Sequence, residues 1–173
     1  MNWRPAWFER KFEFTFPVEQ YPSLCARLRG TPARLEEVFR GVPREVAIRR
    51  VGEKWSAQEH AGHLADLEAL WLARVDDYAA GASELTVADL TNRATWEAKH
   101  NDRSIDEILA AFRGARSALV KRAEAMDPAV FARGILHPRL RMPMRLVDHF
   151  FFVAEHDDHH LAHVWGLINF GVR

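Results

Sequence analysis

The chain has 173 residues, 48% of them hydrophobic, which suits one domain with a real core and leaves no stretch that reads as disordered. Lys+Arg and Asp+Glu each number 24, so there is no electrostatic footprint for nucleic acid or an anionic membrane surface, and the longest apolar run, Phe150 to Ala154, falls far short of the ~20 residues of a membrane span. A lone cysteine, Cys25, excludes an internal disulfide, and Arg4, Glu9 and Arg10 stand where a secretory signal needs an apolar core, so the expected compartment is the cytoplasm.

Residues 1–19 are rich in aromatics but hold prolines and no helical stripe, which predicts an irregular arm packed on the body. Within it Phe12, Phe14 and Phe16 alternate as a short strand would. From Tyr21 to Arg40, Leu24, Leu28, Leu35, Val38 and Phe39 recur at helical spacing, with Pro22 tolerated in the first turn. Gly30 and Pro32 predict that this helix bends or begins late, and Gly41-Val42-Pro43 ends it. Ser56-Ala57-Gln58-Glu59 is a capping box, in which the serine oxygen accepts an orphan backbone N–H and the glutamate answers. The helix it opens carries Leu64, Leu67, Leu70, Trp71, Val75 and Tyr78, and Gly81 stops it; His60 and His63 lie beside its apolar stripe. Residues 82–103 show no sustained period and are long for a connection, which fits a crossover. A second box, Ser104-Ile105-Asp106-Glu107, opens a third helix through Met126. Asp127-Pro128 closes it, with a short helical turn around Ala129 to Ala132. His137 to Pro143 reads as a proline-bounded loop, after which Met144 starts the last helix. Four long helices with one long crossover between the second and third make an all-α, antiparallel four-helix bundle, one domain over residues 1–173.

The last helix contains DHFFFVAEHDDHHLAHVW, Asp148 to Trp165. At about 100° per residue, His149, His156, His160 and His163 fall within roughly 60° of arc, while His159 turns away toward solvent. His156 and His160 are one turn apart, so both rings can converge on one ion, although such a pair also arises by chance on helix surfaces. His63, at the inner border of the capped helix, is a candidate third ligand or a core histidine bonded to backbone. Three neutral imidazoles leave an ion's charge uncompensated and positions open, which suits a catalytic site more than a closed structural one.

Trp55-Ser56, Glu59 and His63-Leu64 followed by Asp66 and Glu68, together with His156-Asp157-Asp158-His159-His160, resemble the DinB/YfiT-like superfamily. Tyr21-Pro22-Ser23 and Thr31-Pro32-Ala33-Arg34-Leu35 extend the resemblance to nearly the whole chain. It implies a four-helix bundle in which His63, His156 and His160 bind a divalent metal, zinc or nickel. It also implies a metal-dependent hydrolase or a thiol-dependent transferase acting on a small molecule, with a low-molecular-weight thiol as a further cofactor, and it implies a homodimer.

The remaining polar residues each carry two readings. His60 competes with His63 for the first ligand position, and His163 is a fourth ligand, a donor in the second shell of the ion, or a surface histidine. His149, roughly 10 Å along the axis from His156, is expected at the pocket mouth. Asp157 falls inside the apolar face and needs a partner: either it fixes the tautomer of a ligand histidine, His63 across the bundle, or it forms a buried salt bridge with an arginine such as Arg34 or Arg74. Asp66 and Glu59 are candidate general bases through a bound water, or members of a solvated helix edge. Trp55, Trp96 and Trp165 wall a pocket or, as is commoner, fill the core. Arg139, Arg141 and Arg145 fit a solvated loop, with Arg145 able to hold a substrate carboxylate or phosphate. Cys25 is expected to be a buried small hydrophobe. The alternative to an enzyme is a non-catalytic bundle that binds a metal or small ligand; a di-iron centre lacks the Glu-x-x-His pairs it needs.

Overall fold

The computed structural model describes residues 6–171, so residues 1–5 of the expected arm and the last two residues lie outside the described part. Six α-helices are present there: α1 (Tyr21–Phe39), α2 (Arg44–Ala47), α3 (Ala57–Ala80), α4 (Arg93–Glu97), α5 (Ile105–Glu124) and α6 (Leu146–Phe170). The four long ones form a four-helix bundle in which α3 packs on α5 and α6, and α1 packs on the same two from the opposite corner. Helices consecutive in the chain therefore sit on diagonals, except α3 and α5, which the crossover of residues 81–104 joins as neighbours. None of the described helices is long and apolar enough to cross a membrane.

Local chemistry accounts for most boundaries. Both halves of the Ser56–Glu59 capping box form, and Gly81 ends α3 in the left-handed conformation (φ 69°) that a Cβ would disfavour. At α5 only half of the expected box is present: Ser104 accepts from the Asp106 amide at 3.2 Å. α1 runs unbroken through Pro32. A proline there strips the Leu28 carbonyl of its helical donor, and Arg116 Nη1 donates to that carbonyl at 3.2 Å instead.

Two expectations need correction. The 137–143 stretch is a loop only over residues 138–141, the turn of an antiparallel hairpin in which β1 (Gly134–His137) pairs with β2 (Met142–Arg145), with Arg141 at φ 55° in the turn. The last helix consequently starts at Leu146, two residues after Met144, with Asp148 accepting from the Arg145 amide at 2.8 Å. Phe12, Phe14 and Phe16 alternate in burial as a strand would, but among the described residues their segment has no partner strand; Phe12 and Phe14 lean on Phe152 and Phe151 of α6 instead.

The core is divided. One apolar cluster holds Leu28, Trp71, Leu119 and Ala154 and another holds Leu35, Leu64, Phe112 and Leu161. Between them a layer of buried polar residues draws one member from each long helix: Thr31, Glu68, Arg116 and Asp157. Arg116 bonds Glu68 with three contacts of 2.6–3.0 Å and Asp157 with two of 2.5 and 3.1 Å, and Thr31 donates to Asp157 at 2.8 Å. Burial pushes the Glu68 carboxyl up to about 7 against the pull of Arg116. Asp157 thus takes the salt-bridge alternative, with Arg116 as its partner; neither Arg34, Arg74 nor His63 bonds it, and Arg34 pairs with Asp158 at 2.6 Å.

Candidate metal centre

The box at Ser56 fixes where α3 begins, which places His60 in its first turn and His63 in its second, facing the middle of α6. His63, His156 and His160 are 4%, 5% and 6% exposed, and each offers a ring nitrogen such that all three lie within 4.8 Å of one another. The Nε2 atoms of His156 and His160 approach to 3.2 Å, and the ring of His63 lies 4.7 Å from that of His160 and 5.4 Å from that of His156.

Hydrogen bonds around the cluster decide which nitrogen carries a proton. The Thr95 hydroxyl donates its only proton to Asp66 Oδ2 at 2.9 Å, so its oxygen accepts from His63 Nδ1–H at 3.0 Å and His63 Nε2 is left with a lone pair. Asp66 also receives His100 Nε2 at 2.8 Å. That approach depends on Gly62, because a Cβ there would sit 2.2 Å from the His100 ring. His160 is held from the other side by His60, their Nδ1 atoms 2.8 Å apart. His156 Nδ1 is buried with no hydrogen-bond partner. Burial holds all four rings neutral: it lowers His63 to about 4 and pushes His60, His156 and His160 well below the usual imidazole range, with the neighbouring histidines adding to the effect.

The cluster opens on a cavity of about 680 Å³. Its walls come mainly from the irregular parts of the chain: Trp7 of the arm, Asn92 and Trp96 of the crossover, and Arg139 of the hairpin, with Trp55 and Trp71 beside the histidines. Trp55 and Trp96 are therefore wall rather than core, while Trp165 is 47% exposed and stacks edge-on with Phe170. His159 does not turn to solvent; it is half-buried on the cavity, its ring against Trp7, His160 and His163. His163 stacks parallel to His60 at 5.1 Å and also lines the cavity, outside the three-nitrogen group. His149 is not at the mouth. It is fully buried against Trp71 and Tyr78, with neither ring nitrogen bonded.

Neither candidate base faces the cavity. Burial works against ionisation of Glu59, but the Arg50 guanidinium and the Ser56 amide outweigh it and hold the carboxyl below its ordinary range. Asp66 is committed to Thr95 and His100 and orients His63 through Thr95. Arg145 is likewise committed, to Asp148 at 2.6 Å and to the Phe16 carbonyl at 3.0 Å. Cys25 is buried, its thiol pushed up to about 11 by burial.

Three neutral imidazoles with no carboxylate among them suit a borderline divalent ion, and the Thr95 oxygen on the outer nitrogen of His63 leaves its Nε2 available. The sequence model of the DinB superfamily matches residues 27–164. Among solved structures the chain is similar to YfiT from Bacillus subtilis, described as a probable metal-dependent hydrolase with an unusual four-helix bundle topology. The TM-score is 0.77 at 20% identity, covering 92% of this chain and 91% of that one. No curated protein sequence matches the chain significantly.

Proposed function

The chain belongs to the DinB superfamily, and from that premise we propose that it is a metal-dependent hydrolase of a small molecule, with His63, His156 and His160 as the protein ligands of a divalent ion. The observation that carries this reading is the convergence of three buried, neutral imidazole nitrogens within 4.8 Å at the floor of a cavity. An ion held there supplies Lewis acidity and makes water acidic enough to ionise near neutral pH. The chain's own residues do the rest. Asp66 and Thr95 fix His63 as an Nε2 ligand, and His60 does the same for His160 in the tautomer where its Nδ1 accepts a hydrogen bond from His160 Nδ1–H. Trp55, Trp71 and Phe152 exclude bulk water from the reacting group, and His159 and His163 are the cavity imidazoles placed to accept or return a proton. The description of YfiT as a probable metal-dependent hydrolase favours hydrolysis; transfer to a low-molecular-weight thiol is the second reading, since the same ion would lower a thiol's pKa.

Elemental analysis of untagged protein should find about one divalent ion per chain, and the His156→Ala/His160→Ala double variant should lose it. Full retention of metal by that variant overturns the site. Turnover of ester or amide substrates, abolished by chelation and restored by metal, supports a hydrolase; turnover only when a thiol is added points to transfer. Metal uptake without turnover of either kind leaves a binding bundle.

A further inference from the structure

Around Arg74, His137 and Arg139 the cavity wall holds more hydrogen-bond donors than acceptors. Arg74 is 2% exposed and spends Nε on the Thr86 carbonyl at 2.9 Å, while its Nη1 lies 3.2 Å from His137 Nε2. His137 Nδ1 is approached by the Leu140 amide at 3.1 Å. A neutral imidazole has one lone pair, and here two N–H groups compete for it, so one donor is left without an acceptor. Arg139, on the hairpin turn, has no hydrogen bond or ion pair among the described residues. Its Nη2 is buried without a partner, and its guanidinium lies over Phe8 and Phe152 at 5.3 and 5.7 Å. Among the described residues no carboxylate pairs with either arginine: nearby Asp77 is taken up by the Thr86 amide and hydroxyl, and Asp89 on the cavity lining by Thr91 and the Arg93 amide.

Buried cations without counter-ions are costly unless something supplies the charge. We propose that Arg74, His137 and Arg139 form an anion subsite that takes the carboxylate of a small substrate whose reacting group lies at the three histidines. The second half of this statement rests on the metal-site reading; the subsite itself does not. Burial draws Arg74 down to about 10 and His137 to about 3, the two guanidiniums adding to the latter. Asp77 offsets part of the charge of Arg74, which favours a monoanion, and the aromatic walls favour one attached to an apolar body. The Trp71 ring touches His156 at 5.8 Å and the Arg74 guanidinium at 5.4 Å, so the two ends of the substrate stand about one aromatic ring apart. The substrate class is thus an aryl or alkyl carboxylate carrying its hydrolysable group at the other end.

Phenylacetate and its neutral isostere phenylacetamide test this by calorimetry on the full-length protein, chelated and metal-loaded. Phenylacetate should bind at least about tenfold tighter than the amide in both forms, the difference expected of a charge-assisted pair. Arg139→Gln, at a half-buried position with no hydrogen bond to lose, should abolish that preference, while the His156→Ala/His160→Ala double variant should keep it. Equal binding of the two probes, an unchanged preference in Arg139→Gln, or phenylacetate binding that needs the metal overturns the subsite. A chain that takes up no metal yet still selects phenylacetate fails the metal reading alone.

Discussion

Thr95 has one proton to give and Asp66 accepts it, so the orientation of His63 is decided by an oxygen atom on the crossover that a carboxylate of its own helix sets as an acceptor. His60 plays the corresponding part for His160, and the bond is short at 2.8 Å. Removing it frees His160 to rotate or to place its proton on Nε2, where it would block the ion. His60→Ala is therefore expected to weaken metal affinity about 10- to 100-fold, with His60→Asn recovering part of the loss, as measured by competition against a chelator. If His60 were itself a ligand, His60→Ala would abolish binding and His63→Ala would be the mild variant; that reversal would overturn the assignment. His60 and His63 were both readable as histidines at the border of an apolar stripe. The proton acceptor that distinguishes them was not, because Thr95 and His100 lie in a segment without periodicity and reach Asp66 only through the fold.

At the scale of elements, what was legible is what is local. Capping at Ser56, the stop at Gly81 and the 3.6-residue stripes of α1, α3, α5 and α6 depend on neighbours within a few residues, and all four helices follow from them. The hairpin was hidden because Gly134–His137 and Met142–Arg145 are short, interrupted by Pro143, and gain their pairing partly from the crossover, where the Leu85 amide bonds the Leu136 carbonyl at 3.0 Å. The need of Asp157 for a partner could be read from its helical angle, but not that the partner would come from α5. Arg116 joins all four long helices, bonding Glu68, Asp157 and the Leu28 carbonyl, with Thr31 completing the layer. Arg116→Leu leaves two carboxylates buried without their cation and should destabilise the protein by about 3–5 kcal/mol in a urea titration. Replacing Glu68 and Asp157 by Gln and Asn in the same background should recover much of that loss. A single variant within about 1 kcal/mol of the parent would show that the layer is not held by charge.

Across the whole molecule, six imidazoles are held neutral by burial: His60, His63, His137, His149, His156 and His160. In the unfolded chain each takes a proton near pH 6.5. In the folded one His63 waits until about 4 and His137 until about 3. Between those values the unfolded state binds more protons, so stability falls as pH falls, by about 1.4 kcal/mol per pH unit for each unmatched proton. Glu68 works the other way. Its folded carboxyl takes a proton near pH 7 and the unfolded one near 4.5, so it adds stability as pH drops through the same window. One carboxyl against six imidazoles leaves the histidines in control, and a domain with the usual margin of about 5–15 kcal/mol has little room for several such protons. The chelated protein should therefore lose melting temperature steeply from pH 7 to about 5.5. Saturating metal should delay that fall by mass action, since the ion binds only the neutral rings. A melting temperature that stays level or rises on acidification would mean that these rings are protonated in the fold, and with them the donor set proposed for the ion would be lost.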